Sequence, residues 1–168
     1  ISGLADTEIN YQDDFIQNGS FTDSDSTSWT ATVDYGDGFG LQPLSLNPDK
    51  SFILSRLYPA VGNYEVTVNI TDNQGSTGTK TITVKVNAPP HINQLSGATI
   101  NEGQTYTENG SFSDIDSTSW TATVNYDDGA GSQPLTLNPD KTFSLNYLYK
   151  DNGTYTVIVT VIDNQGAI

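Results

Sequence analysis

Aspartate is the residue type through which this chain could do chemistry. Asp and Glu number 20 against six Lys and Arg, giving a formal net charge of −14. Many of the aspartates sit in short polar segments that return later in the chain. Thr22-Asp23-Ser24-Asp25-Ser26, Asn47-Pro48-Asp49-Lys50 and Asp72-Asn73-Gln74-Gly75 are answered by Ser113-Asp114-Ile115-Asp116-Ser117, Asn138-Pro139-Asp140-Lys141 and Asp163-Asn164-Gln165-Gly166. Carboxylates gathered in one place are hard oxygen ligands, and Ca²⁺ takes roughly six to eight such oxygens, backbone carbonyls included. Asp114, Asp116, Asp140 and Asp163, with Asp23, Asp25, Asp49 and Asp72, are therefore candidate metal ligands, and Ca²⁺ is the cation they suit. Carbonyls of Asn87–His91 stand in the sequence where they could complete the second set. The spacing matches no EF-hand loop, so the reading rests on topology rather than on a motif. The same residues equally suit Asx turns, with Lys50 or Lys141 offsetting the charge.

Other reactive chemistry is sparse. There is no Cys, and His91 is the one histidine. Nucleophile and base must be oriented together, and His91 sits in the linker with no Cys or second His to work with. Carboxylate pairs of the glycosidase kind need a cleft, which nothing here predicts. An enzyme is not expected. Phosphate binding needs clustered Lys and Arg, so nucleic acid is not expected as a partner. No apolar run approaches the ~20 residues of a membrane-spanning helix, so this segment is not expected to insert directly into a membrane.

The elements that must position these aspartates come in two copies. At an offset of 91 residues, Asn18–Gly75 aligns without a gap onto Asn109–Gly166, with about two thirds of the positions identical. FTDSDSTSWTATVDYGDG returns as FSDIDSTSWTATVNYDDG. Within each copy, apolar residues alternate with polar ones at the period of a half-buried strand: Trp29, Ala31, Val33 and Tyr35; Tyr64, Val66, Val68 and Ile70; Ile82, Val84 and Val86. Gly36-Asp37-Gly38 and the Asn-Pro-Asp-Lys and Asp-Asn-Gln-Gly segments read as turns, as do the Asn-Gly pairs at Asn18, Asn109 and Asn152. No stretch carries a helical period. Short strands at this spacing predict an all-β chain of two immunoglobulin-like antiparallel β-sandwiches, residues 1–87 and 88–168, joined through Pro89-Pro90. Counting strands up and down places the Asp23/Asp25 loop, the Asp49 turn and the Asp72 turn at one end, and Gly36-Asp37-Gly38 at the other. Trp29 and Trp120 are expected in the core, and Tyr64 and Tyr155 as tyrosine corners whose hydroxyls bond backbone upstream. The second copy has no counterpart of Thr79–Val86, its last strand. Truncation or disorder accounts for that; so does a strand supplied by a neighbouring chain, since an open sheet edge promotes self-association.

The motifs resemble those of polycystic kidney disease (PKD) domains, in the form found in bacterial surface and secreted proteins. Val33-Asp34-Tyr35-Gly36-Asp37-Gly38 stands where that family has Trp-Asp-Phe-Gly-Asp-Gly. Leu57-Tyr58, then Gly62-Asn63-Tyr64-Glu65-Val66-Thr67-Val68, is similar to its His-x-Tyr and Gly-x-Tyr-x-Val-x-Val signature. Tyr149, Gly153, Tyr155, Val157 and Val159 repeat it. Val33 and Val124 depart from the family Trp, Arg56 and Tyr147 from its His, and Asp127 from the first Gly of the turn. The resemblance implies PKD-type sandwiches acting as a non-enzymatic structural or adhesive stalk of a larger extracellular or bacterial cell-surface protein, with adjacent repeats as immediate partners. The alternative is a module that binds a protein or polysaccharide. Exposure of Trp29, Tyr11, Phe15, Phe39 and Tyr106 separates the two, because a sugar binder needs aligned exposed aromatics.

Overall fold

The computed structural model describes residues 1–168, which divide into two compact units, Ile1–Asn87 and Ala88–Ile168. Both are all-β.

The first unit holds seven strands: β1 (Thr7–Asn10), β2 (Asp14–Ser20), β3 (Trp29–Asp34), β4 (Gln42–Pro43), β5 (Ser51–Leu57), β6 (Gly62–Asp72) and β7 (Thr77–Asn87). One sheet runs β1-β7-β6-β3-β4, and β2 pairs with β5 in the other. All pairings are antiparallel except β1 with β7. The alternation in the sequence maps directly onto burial. Val66, Val68 and Ile70 of β6 and Ile82, Val84 and Val86 of β7 point inward, while Thr81 and Thr83 face solvent. They meet Phe15, Phe52 and Leu54 from the second sheet in one core.

The second unit holds β8 (His91–Ile92), β9 (Thr105–Ser113), β10 (Trp120–Asn125), β11 (Ser132–Pro134), β12 (Thr142–Leu148) and β13 (Ile158–Asp163). Its sheets run β11-β10-β13 and β12-β9-β8. Tyr106, Phe143, Leu145, Val124 and Val161 form its core. Residues 88–168 include no counterpart of β7, and two differences accompany that. Ala98–Asn101, which correspond to β1, form no strand. β13 begins five residues later than β6 does in the repeat frame, at the counterpart of Thr67. In the first unit Gly62–Val66 pair with β7 alone, and pairing with β3 starts at Thr67. Backbone that has lost its sole ladder partner no longer holds strand geometry.

Two expectations need correcting. Asn18-Gly19 and Asn109-Gly110 are not turns; they lie inside β2 and β9. The glycines are there because the rings of Phe52 and Phe143 lie over them. A Cβ on either would come within 2.3 Å of the ring. Trp29 and Trp120 are not deep core anchors. Each is half-buried at the edge of its core, with its indole N–H turned to a carboxylate.

Candidate functional site

The conspicuous polar constellation is the aspartate-rich end of each unit. In the first, the loop before β3, the turn before β5 and the turn after β6 meet there. The Asp23 carboxylate accepts the N–H groups of Asp25 and Ser26 through one oxygen, both at 3.2 Å, and the Trp29 indole N–H through the other at 2.7 Å. Lys50, held at φ 64° in its turn, donates through Nζ to the Asp23 carbonyl at 2.5 Å. The same ammonium lies 4.5 Å from the centre of the Trp29 ring, whose edge packs against Phe21. From the β6 turn, Asn73 accepts the Thr27 N–H and Gln74 accepts the Ser26 hydroxyl. Asp72 accepts the N–H groups of Gln74 and Ser76 at 2.8 and 2.9 Å. Asp49 accepts the N–H and hydroxyl of Ser51.

The second unit rebuilds this cage. Asp114 accepts from Asp116, Ser117 and the Trp120 indole. Lys141 reaches the Asp114 carbonyl at 2.8 Å and lies 4.6 Å from the Trp120 ring centre. Asn164 accepts the Thr118 N–H, and Gln165 the Ser117 hydroxyl. Asp163 is buried and accepts the N–H groups of Gln165 and Ala167, both at 2.9 Å. Asp140 accepts from Thr142. Asp116 accepts the Ala88 N–H at 3.3 Å, so the first residue of the unit is tied to its acidic loop.

The electrostatics follow from the donors. The Trp29 indole, with the N–H groups of Asp25 and Ser26, holds the Asp23 carboxyl down at about 2. Burial pushes Asp114 up, but the Trp120 indole and two backbone N–H groups outweigh it and leave it lowered. The hydroxyls of Ser51 and Thr142 lower Asp49 and Asp140. A carboxylate that accepts two or three N–H donors is stabilised in its charged form without a cation. No group of three or more His, Cys, Asp or Glu side chains is disposed to hold a metal ion. The Ca²⁺ expectation for Asp23, Asp25, Asp49, Asp72, Asp114, Asp116, Asp140 and Asp163 thus rests on charge and topology, not on a preformed ligand set.

At the other end, Asp37 pairs with Arg56, which lies over the rings of Tyr35 and Phe39 at 5.5 and 5.0 Å. In the second unit Tyr147 replaces Arg56. It stacks on Tyr126 at 4.3 Å and donates its hydroxyl to Asp128, so the strand-to-turn tie survives a change of chemistry. The tyrosine corners form: Tyr64 donates to the Ala60 carbonyl at 2.8 Å and Tyr155 to that of Asp151 at 3.0 Å. The sequence reading missed the Asp–Trp–Lys cage. Its signal was the recurrence of Asp and Trp six residues apart, followed by the Asn-Pro-Asp-Lys turn, at matched positions in both copies.

Of the five aromatics that bear on a binding platform, Phe15 is fully buried, Tyr106 is buried and Trp29 half-buried. Phe39 is 70% exposed and Tyr11 38%. Their counterparts are Ala130 and Glu102, so the two units share no exposed aromatic row. His91 is exposed.

A family model described as PKD domain matches the chain twice, over residues 2–86 and 87–168. No curated protein sequence matches. Among solved structures, the I-band fragment I67–I69 of titin is similar with a TM-score of 0.60 at 9% identity, over 95% of this chain and 62% of that one. The N-terminal eight immunoglobulin domains of Down Syndrome Cell Adhesion Molecule give 0.53 at 11% identity, over 95% of this chain and 26% of that one. These likenesses show an immunoglobulin-like fold.

Proposed function

The chain belongs to the PKD domain family, twice over, and from that premise we propose that it is a non-enzymatic spacer or adhesive repeat of a larger extracellular or cell-surface protein. One observation carries the reading. Aspartates that could do chemistry are engaged at matched positions of both units in tying turns together. Asp23 and Asp114 hold their own loops and the tryptophans, and Lys50 and Lys141 brace them across the end of the sandwich. A cage rebuilt at matched positions suits a repeat placed under tension, because the same end of each unit is braced in the same way. The acidic surface keeps such a stalk soluble and self-repelling.

Pulling on the chain from its two ends tests this. A spacer unfolds in two discrete events, each releasing roughly 300 Å of chain, about 3.6 Å for each of the residues of a unit. Gradual extension without resistance would overturn the proposal. A glycan or protein ligand captured through Phe39 would favour the binding-module alternative instead.

A further inference from the structure

The second unit has a cleft on the side of the sandwich away from β13 and β8. It measures about 390 Å³ and opens between β11, with the residues after it, and the far edge of β12. Both walls are complete within the unit: β11 pairs with β10 and β12 with β9, as β4 pairs with β3 and β5 with β2 in the first. Sites for small ligands ordinarily measure about 300–1,000 Å³. The amides of Gln133, Asn138 and Asn146, the hydroxyls of Thr136 and Ser144 and the ring of Tyr147 line the cleft. No lining side chain is charged, in a chain whose formal net charge is −14.

We propose that this cleft is a binding site for a neutral glycan, which gives the adhesive reading its ligand class. The lining selects that chemistry. Asn and Gln side chains donate and accept, as hydroxyls do, and sugar hydroxyls need both. The Gln133 and Asn146 amides are exposed and make no hydrogen bond within the chain, so a ligand meets groups that need not first leave a protein partner. Tyr147 is half-buried, stacked on Tyr126 at 4.3 Å and tied through its hydroxyl to Asp128. A ring fixed in advance suits the apolar C–H face of a pyranose and needs little ordering on binding. Phosphate would require Lys or Arg, and the cleft has neither. Glycans bearing carboxylates or sulfates are repelled by the acidic surface.

The first unit is an internal control. At the positions of Ser144, Asn146 and Tyr147 it carries Ile53, Ser55 and Arg56. Ile53 is exposed and apolar. Arg56 brings a guanidinium that pairs with Asp37 and lies over the rings of Tyr35 and Phe39. The same place on the first unit thus lacks the Asn amide and the Tyr ring, and it carries charge.

The test titrates the 168-residue chain with short neutral oligosaccharides of glucose, galactose, mannose, xylose and N-acetylglucosamine, followed by nuclear magnetic resonance. At least one should move the side-chain amide signals of Gln133 and Asn146 and the ring signals of Tyr147, and leave those of Gln42 and Tyr35 in place. Asn146→Asp, at an exposed position, removes a donor and should weaken binding about tenfold. Ser144→Ile and Tyr147→Arg install residues that the first unit accommodates at the same positions, and should abolish binding while the fold is kept. No signal change with any of these sugars, changes centred elsewhere, or unimpaired binding by Asn146→Asp or Tyr147→Arg would overturn the proposal. Tighter binding of a sulfated or uronic-acid glycan would overturn it in favour of an anionic ligand, and a response only to an extended peptide would do so in favour of strand addition at β12. None of these outcomes bears on the two unfolding events that test the spacer reading.

Discussion

The two units provide an internal control on what one buried hydroxyl contributes. Tyr58 and Tyr149 occupy the same repeat position, are both buried, and stack on Tyr64 and Tyr155 at 4.1 and 4.2 Å. Each ring thus keeps the same stacking partner, and the hydroxyls differ. That of Tyr149 donates to the Tyr126 carbonyl at 2.9 Å. That of Tyr58 is buried with no partner. Burial raises the pKa of both, Tyr149 to about 12, so both are neutral phenols at physiological pH. Tyr149→Phe deletes a made hydrogen bond and should cost about 1 kcal/mol. Tyr58→Phe removes a polar atom that was stripped of water without compensation and should stabilise the first unit by about 1 kcal/mol. The two variants should then differ by about 2 kcal/mol, or roughly 10 °C in melting temperature for domains of this size. Each unit has one tryptophan, Trp29 and Trp120. Replacing either with Phe leaves the other as a fluorescence reporter of its own unit during denaturant unfolding. Equal losses from Tyr58→Phe and Tyr149→Phe would refute the reasoning, because the hydroxyl without a partner would then be contributing as much as the bonded one.

Gly19→Ala and Gly110→Ala should each destabilise their unit by about 1–3 kcal/mol, because the ring of Phe52 or Phe143 must move off the new methyl; equilibrium unfolding measures the loss. Acid should weaken both units through the caged aspartates. The folded pKa values of Asp23, Asp49, Asp114 and Asp140 lie below their ordinary values, so their contribution is whole above about pH 4 and fades as pH falls toward the folded values. For Asp23 that fall ends near 2, and Asp23→Asn should flatten the dependence in melts between about pH 5 and 2. Calorimetric titration with Ca²⁺ decides the coordination reading of Asp114, Asp116, Asp140 and Asp163. Coordination requires a melting temperature that rises with Ca²⁺ and falls back with chelator, and an unchanged curve leaves these residues as acceptors for their own turns.

Alternation and repetition in the residues determined the architecture. Val66-Thr67-Val68 and Ile82-Thr83-Val84 can bury every second side chain only as strands, and the ungapped match required two units of one kind. Gly-Asp-Gly and Asn-Pro-Asp-Lys marked turns because their backbone demands are local. The tyrosine corners were legible for the same reason, since Tyr64 reaches a carbonyl four residues upstream. What the sequence left undecided involved partners far along the chain. Asn18-Gly19 reads as a turn until Phe52, distant in sequence, lays its ring on the glycine. Trp29 reads as core until Lys50 and Asp23 come from two other segments to hold its face and its N–H. Gly153–Val157 carry the same tyrosine and valine as β6, yet take strand geometry only where a neighbouring strand completes the ladder. Side-chain period is a property of the segment, whereas hydrogen-bond satisfaction is a property of the pair, and only the tertiary structure supplies the second member.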